Sequence, residues 1–266
     1  MDKHYRYFVR LAYNGARYLG WQVQKQQPTV QEVVNDALSK IFRKEINVLG
    51  CGRTDTGVHA REFYAHFDLH SPLSQKEIGT SVKKLNGCLP NDVVVFDLLP
   101  VKSDANARFN AVKRTYKYQV STRKDPFSLG SAYAYYTKLD VKKMNAAAAL
   151  LFEYTDFTSF SKVNTQVKTN NCKIYRADWQ QDGEMLVFTI TADRFLRNMV
   201  RAVVGTTLNV GRGKLSLSGF RKVIEDMDRS KAGYSVPPHG LYLHSIEYPD
   251  NVFLNVDFSQ KNIDIK

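Results

Sequence analysis

Hydrophobic residues in the first half of the chain recur with the periods of strands and of a helix. Residues 5–13 are rich in aromatic and β-branched side chains and predict a strand. Residues 62–69 alternate between apolar and polar positions, which predicts a half-buried strand. Between them, Thr29 and Glu32 have the spacing of a capping box. The helix predicted after Thr29 has one apolar face, formed by Val30, Val33, Val34, Ala37, Leu38, Ile41 and Phe42.

Two further elements complete this half. Ser74 and Glu77 have the spacing of a second capping box and predict the start of another helix. Gly87 is the predicted end of that helix, because glycine is the usual residue just past a helix C-terminus. The apolar stretch 92–98 then predicts a strand. The first half is therefore predicted to run strand, helix, strands, helix, strand.

The second half contains the same kinds of element, including a hairpin that turns at Asp182 and Gly183. The predicted strands are 113–121, 132–137, 173–181, 185–192 and 241–248, and the predicted helices are 140–152, 195–209 and 217–228. Helices mixed with antiparallel hairpins in two similar halves indicate an α+β fold. We expect two ferredoxin-like α/β subdomains, residues 1–107 and 108–266, with largely antiparallel sheets that flank a basic active-site cleft.

The net positive charge of the chain indicates which kind of partner it binds. Lys and Arg outnumber Asp and Glu by 38 to 26, which gives a formal charge of +12 and favours a polyanion such as nucleic acid. No apolar run approaches the roughly 20 residues of a membrane helix, and the polar start lacks a signal-peptide core. The three cysteines are scattered, which is typical of a reducing compartment. We therefore expect a cytoplasmic protein with no membrane partner.

The segment 51–60 is too polar and too rich in glycine to be part of either neighbouring strand. It places Asp55 between Gly52 and Gly57, with Arg53 two residues away. An aspartate is ionised at neutral pH and can act as a base or a nucleophile, glycines allow a ligand to approach the backbone, and an arginine can hold a phosphate or a carboxylate. The local chemistry fits equally well a solvated turn in which Asp55 is only a turn former.

Residues 55–57, Asp-Thr-Gly, also match the tripeptide of aspartic proteases. Those enzymes need two carboxylates that share a proton. The sequence has one such motif, so a homodimer would have to supply the second carboxylate. Arg53 argues against this hypothesis, because a neighbouring cation favours the ionised form of a carboxyl group.

Basic and aromatic residues are interleaved over 108–118. On a strand, Arg114, Tyr116 and Tyr118 share one face. This pattern suits RNA, since cations bind phosphates and rings stack on bases that have left their helix. The alternative is an ordinary sheet edge with packed rings and solvated cations.

A further basic group lies at the start of the helix predicted from residue 195. Spacings of three and four place Arg194, Arg197 and Arg201 in one stripe beside an apolar arc. A solvated basic face is the commoner meaning of such a stripe. Arg201, however, is next to the arc and can reach inward to pair with a buried carboxylate.

Together these segments resemble the TruA family of tRNA pseudouridine synthases over nearly the whole chain. Six blocks in the family's order carry the resemblance: 13–31, 52–60, 108–118, 156–160, 195–205 and 240–243. The resemblance implies isomerisation of uridine to pseudouridine at positions 38, 39 and 40 of the tRNA anticodon stem-loop. It also implies a homodimer that uses no metal and no cofactor.

By matched position, Asp55 is implied to be the essential catalytic aspartate and nucleophile. The resemblance implies roles for four other residues: Arg53 holding the flipped nucleotide, Tyr116 stacking on the uracil, Arg201 pairing with Asp55 and Leu241 lining the base pocket. We expect Arg114, Arg194 and Arg197 to contribute to tRNA binding.

The sequence leaves two choices open. Asp55 could attack carbon or remove a sugar proton. The same basic cleft could also belong to a non-catalytic RNA-binding protein, and a dimeric aspartic protease is the third hypothesis.

Overall fold

A computed structural model describes residues 4–25, 27–162 and 169–254, and these residues form nine strands and five α-helices. The strands are β1 Tyr5–Tyr13, β2 Leu49–Gly50, β3 His59–Leu69, β4 Val93–Val101, β5 Lys113–Ser121, β6 Tyr133–Ala134, β7 Ile174–Asp182, β8 Met185–Ala192 and β9 Leu241–Glu247. The helices are α1 Val30–Phe42, α2 Gln75–Cys88, α3 Val141–Leu150, α4 Met199–Gly211 and α5 Leu217–Glu225. The fold is therefore mixed α and β, as predicted.

All described strands belong to one open sheet, in the order β4-β1-β3-β9-β5-β8-β7, with β2 beside β3 and β6 beside β5. The pairings are antiparallel except for β3 with β9 and β5 with β6. The sheet is thus largely antiparallel, as the hairpin pattern predicted.

The first and second halves of the chain are joined in this sheet by a short parallel pairing. His59 and Ala60 of β3 pair with Tyr242 and Leu243 of β9. Strand β9 comes from the end of the described chain, and its other edge pairs with β5. Strand β9 therefore lies between β3, which follows the loop of residues 51–58, and β5, which contains Tyr116.

The buried apolar residues form two clusters. One lies around β1, β3 and β4 with helices α1 and α2, and its largest fully buried side chain is Trp21. The other lies around β5, β7 and β8 with helices α3, α4 and α5. Val58 belongs to the second cluster although it comes from the first half, and Tyr116 packs against both clusters. The region around Val58 and Tyr116 is therefore where the two clusters meet.

The two helix starts predicted from capping boxes are confirmed. The Thr29 hydroxyl accepts a hydrogen bond from the Glu32 N–H, and Ser74 and Glu77 form a complete capping box. The predicted end of α2 is wrong, because Gly87 lies inside the helix and Leu89 caps it. Leu89 has extended backbone angles, which the following Pro90 favours by disfavouring the helical region for the residue before it.

Other boundaries differ from the prediction as well, and the helix expected at 217–228 ends at Glu225. The strand expected at 132–137 shortens to β6, and the helix expected at 140–152 ends at Leu150 and continues as a 3-10 turn, Leu151–Glu153. The helix expected from 195 begins at Met199, because Asn198 has a φ of 69° and lies in the left-handed region. Arg194 and Arg197 therefore precede α4, and the predicted helical stripe of three arginines does not form.

No helix in the described part of the chain is long and apolar enough to cross a bilayer.

His66 lies inside the first cluster and connects β3 to the segment before β5. Its Nδ1 accepts a hydrogen bond of 3.2 Å from the Ala107 N–H. Burial lowers the pKa of His66 from its usual value of 6.5 to about 4. The folded state therefore favours the neutral imidazole.

This pKa shift predicts a dependence of stability on pH. A histidine whose pKa is lower in the folded state contributes full stability above pH 6.5 and loses that contribution as the pH falls toward 4. We expect the free energy of unfolding to fall by on the order of 1 kcal/mol between pH 7 and pH 5 because of His66. His66→Gln, measured by urea unfolding across this range, should show a shallower slope than the unsubstituted protein. Equal slopes would contradict the assignment.

Candidate active site

The 51–58 loop lies between β2 and β3 and contains Asp55. It begins with a hydrogen bond of 2.7 Å from the Cys51 N–H to the Tyr64 carbonyl, and it ends with one of 3.1 Å from the Val58 N–H to the Asp55 carbonyl. The backbone on either side of the carboxylate is therefore fixed by the sheet and by the loop itself. A solvated turn, the alternative that the sequence left open, does not require a hydrogen bond to the neighbouring strand such as the one from Cys51 to Tyr64.

The loop packs against the segment that follows β1. The Trp21 N–H donates to the Thr54 carbonyl, and the Gly57 N–H donates to the Tyr18 carbonyl. Gly20 is essential to this contact, because its φ is +86° and a Cβ there would lie 2.2 Å from the Thr54 oxygen. These bonds hold the peptide units on both sides of Asp55 at fixed positions.

Two guanidinium groups approach the carboxylate of Asp55. The Nε of Arg197 lies 3.7 Å from Oδ1, and the Nη1 of Arg201 lies 3.9 Å from Oδ2. Both distances exceed those of charge-assisted hydrogen bonds. The aspartate side chain is 34% exposed. The two cations therefore lie close to the carboxylate without forming short hydrogen bonds to it, so its oxygens keep lone pairs for a ligand.

Arg201 is the better fixed of the two arginines. Its Nε donates a hydrogen bond of 2.6 Å to the Val236 carbonyl, and the Val236 N–H donates to the Arg201 carbonyl. Its side chain is 19% exposed, whereas that of Arg197 is 60% exposed. The loop before α4 places Arg197 at Asp55, and the first turn of α4 places Arg201 there.

Tyr116 projects from β5 toward the same region. Its ring packs edge-on against Phe195, with 5.0 Å between ring centroids. Burial is the largest cause that raises the pKa of Tyr116, and the negative charge of Asp55 also raises it. The phenol is therefore neutral at physiological pH. Sequence reasoning did not single out Phe195 as a partner of this ring, although its position between Arg194 and Arg197 was visible.

Leu241 lies on β9 opposite Tyr118, and the neighbouring pair on the same two strands is Leu243 opposite Tyr116. Leu241 is buried in the second cluster, where Val58 also packs. Leu241 directly precedes Tyr242, which pairs with His59 at the end of the 51–58 loop, and it shares a sheet face with the opposite residue Tyr118.

Arg114 binds backbone carbonyls from three separate segments. Its Nη2 donates to the carbonyls of Cys51 and Arg108, and its Nη1 donates to those of Asp193 and Ala111. This guanidinium therefore ties the 51–58 loop to the segment before β5 and to the one before α4. The structure gives it a scaffolding position, whereas the sequence suggested only contact with RNA.

The other two predicted cations, Arg53 and Arg194, form no ion pair with Asp55 in the described part of the chain. Arg53 is exposed on the 51–58 loop, and Arg194 is half-buried with its backbone N–H bound to the Asp193 carboxylate. In residues 4–25, 27–162 and 169–254, no group of three or more His, Cys, Asp or Glu residues is arranged to hold a metal ion.

His59 is a structural residue of the site that the sequence analysis did not single out. Its Nδ1 accepts from the Gly15 N–H at 3.0 Å, so its Nε2 carries the proton and donates to the His239 carbonyl at 3.0 Å. The ring stacks on Tyr242, with 4.7 Å between centroids. Burial lowers the pKa of His59, which favours this neutral form. His59 lies within the segment 51–60 that the sequence analysis described, but its contacts with Gly15, His239 and Tyr242 are distant in the sequence and could not be inferred from that segment.

The contact between Gly20 and the loop can be tested by substitution. We expect Gly20→Ala to lower the free energy of unfolding by about 1–3 kcal/mol, because the new Cβ meets a backbone oxygen and φ is positive. Gly52→Ala is a matched control in the loop itself, since no atom lies within 4 Å of the position that its Cβ would occupy. That control should stay within about 0.5 kcal/mol in urea unfolding. Similar losses in both variants would show that the close packing is not required.

Comparison with known proteins identifies the family of this chain. A family described as tRNA pseudouridine synthase matches residues 147–249. The tRNA pseudouridine synthase A of Porphyromonas gingivalis is 54% identical over 252 residues, which cover 94% of this chain and 99% of that protein.

Two further relatives with the same name show similar agreement. The protein of Parabacteroides distasonis is 52% identical and covers 93% of this chain and 98% of its own length. The protein of Bacteroides thetaiotaomicron is 54% identical and covers 93% of this chain and 92% of its own length. At this identity and coverage, the chain belongs to the tRNA pseudouridine synthase A family.

Proposed function

We propose that this protein isomerises uridine to pseudouridine at positions 38, 39 and 40 of the tRNA anticodon stem-loop, with Asp55 as the essential catalytic aspartate. The observation that carries the proposal is the carboxylate of Asp55, which an ordered loop places 3.7 Å from the Nε of Arg197 and 3.9 Å from the Nη1 of Arg201. Membership of the family supports the type of reaction, and the position of the Asp55 carboxylate supports its role as the reacting group.

The reaction needs little beyond a carboxylate and a closed site. The C1′–N1 bond of uridine breaks, the uracil turns, and a C1′–C5 bond forms. C5 releases a proton and N1 gains one, so the atoms balance with no oxidant or reductant. Asp55 acts as the nucleophile or as the base that starts this sequence. Exclusion of water protects the detached base during the turn.

The target nucleotide must first leave its base stack, which costs a few kcal/mol. Contacts to phosphates offset part of that cost, and the formal charge of +12 suits them. Arg53 and Arg197 are exposed cations, on the loop of the carboxylate and 3.7 Å from it respectively, and are suited to hold the flipped nucleotide, and Arg194 adds a third cation three residues before Arg197. Tyr116 stacks on the uracil, which is worth roughly 1–3 kcal/mol, and Leu241 lines the base pocket.

Arg201 and Arg114 act mainly through other groups. Arg201 binds the Val236 carbonyl, which holds its guanidinium in place beside the carboxylate of Asp55. Arg114 binds the Cys51 carbonyl at the start of the loop and so fixes the loop that carries Asp55. Its contribution to tRNA binding is then indirect.

We further propose that the halves 1–107 and 108–266 are two ferredoxin-like subdomains. The strand order supports this. In the first half β4-β1-β3 has β2 beside β3, and in the second half the order is β9-β5-β8-β7. When the two-residue strand β6, which lies beside β5, is set aside, each half has four strands in the same order: the fourth lies beside the first, the first beside the third and the third beside the second. A homodimer in the cytoplasm that binds tRNA completes the proposal.

The catalytic assignment is tested by Asp55→Asn. We expect this variant to form no detectable pseudouridine in unmodified tRNA, because the amide can act neither as a nucleophile nor as a base. Its affinity for tRNA should stay within a few-fold, since the phosphate contacts remain. Pseudouridine is measured by mapping the RNA after incubation with purified protein and no added cofactor.

Asp36→Asn is the matched control, because it removes the same charge from an exposed position on α1. It should keep full activity. Comparable turnover by Asp55→Asn would show that the catalytic residue is wrong. Salt-sensitive tRNA binding by the unsubstituted protein, without any pseudouridine, would instead favour a non-catalytic RNA-binding protein.

The two arginines at Asp55 are expected to differ in effect. Arg201→Gln should lower the single-turnover rate of pseudouridine formation about 10- to 100-fold, because it removes a largely buried cation from a carboxylate. Arg197→Gln should lower it less than about 5-fold, because exposed ion pairs are worth at most about 1 kcal/mol. Arg201→Lys should recover part of the rate. An equal effect of both Gln substitutions would contradict the stronger role of Arg201.

A further inference from the structure

The turn at residues 106–110 displays a large apolar ring to solvent. Phe109 is 77% exposed. The guanidinium of Arg108 lies 5.5 Å from the centre of its ring. A ring this exposed contributes little to the core, and the adjacent cation gives it the chemistry of a surface that binds nucleobases.

The backbone that displays this ring is ordered by local hydrogen bonds. The side-chain oxygen of Asn106 accepts from the N–H groups of Arg108 and Phe109, at 2.9 and 3.2 Å. The side-chain oxygen of Asn110 accepts from the Asn106 N–H, and the Asn110 N–H donates to the Asn106 carbonyl. A ring on a fixed turn loses little entropy when it binds a flat partner.

The turn is also anchored to the site. The Ala107 N–H donates to buried His66, and the Tyr248 hydroxyl donates to the Ala107 carbonyl. Arg114 binds the Arg108 carbonyl at 2.8 Å and, with the same Nη2, the Cys51 carbonyl at 3.2 Å. One guanidinium thus connects the residue before Phe109 with the first residue of the 51–58 loop.

Flipping of the target leaves its neighbours in the RNA without a stacking partner. Tyr116 is half-buried and takes the target base, whereas the open ring of Phe109 can cover the face of a base that stays outside the pocket. We propose that Phe109 stacks on a nucleobase flanking the target, with Arg108 adding a cationic contact to the same stretch of RNA. This inference rests on the function proposed above.

The test uses an anticodon stem-loop with a single target uridine and the fluorescent adenine analogue 2-aminopurine beside it. We expect the unsubstituted protein to quench this fluorescence on binding, because stacking on an aromatic ring quenches the analogue. Phe109→Ala and Phe109→Leu should bind without that quenching, and Phe109→Tyr should restore it. The kcat/KM for pseudouridine formation should fall about 5- to 150-fold in Phe109→Ala and Phe109→Leu, as loss of one stacked base requires.

Two measurements separate stacking from a structural effect. The urea midpoint should be unchanged in Phe109→Ala, because the ring is exposed. Phe152→Ala, which removes a half-exposed phenylalanine next to the Glu153–Arg221 ion pair, should keep both the quenching and the rate. Unchanged quenching and rate in Phe109→Ala, or full recovery with Phe109→Leu, would overturn the inference.

The outcome also separates this inference from the proposed function. If the unsubstituted protein forms pseudouridine and the variants at 109 behave like it, only the stacking role fails. If no pseudouridine forms but quenching still depends on an aromatic ring at 109, the stacking role stands and the proposed reaction fails.

Discussion

The parallel pairing of β3 with β9 is the contact on which the site depends. It comprises two residue pairs, His59 with Tyr242 and Ala60 with Leu243. The 51–58 loop ends directly before His59, and β9 pairs on its other edge with β5, so one strand sets the position of Asp55 relative to Tyr116. A pairing this short has few backbone bonds of its own. His59 supplements it by stacking on Tyr242 and bonding to the Gly15 N–H and the His239 carbonyl.

Arginines connect the segments around this pairing by binding backbone carbonyls. Arg114 holds the carbonyls of Cys51 and Asp193, and Arg201 holds that of Val236. A guanidinium has five donors and stays charged, so it can satisfy carbonyls and still face an anion. Arg114 and Arg201 therefore use their guanidinium groups to order the segments around Asp55. Arg53 and Arg197, by contrast, are exposed.

Local sequence patterns predicted the elements well and their ends less well. The two capping boxes set the starts of α1 and α2 because their hydrogen bonds span three residues. The end of α2 was wrong because the restriction imposed by Pro90 on Leu89 outweighs the tolerance of Gly87 for a turn. The start of α4 was wrong because Asn198 adopts a left-handed conformation, which apolar periodicity does not encode. The pairing of β3 with β9 joins residues far apart in the chain, and no local pattern specified it.

The same limit explains which features of the site were accessible from sequence. Asp55 stood out because its loop is locally unusual, and Arg201 stood out beside an apolar arc. Arg197 reaches Asp55 from the loop before α4, where its carbonyl accepts from the Lys162 N–H, and not from the helical stripe that its spacing suggested. The break at Asn198 lets a loop cation and a helix cation approach different oxygens of one carboxylate. The two cations differ in exposure, since the side chain of Arg201 is 19% exposed and that of Arg197 is 60% exposed, so the helix supplies the more enclosed cation and the loop supplies the more open one.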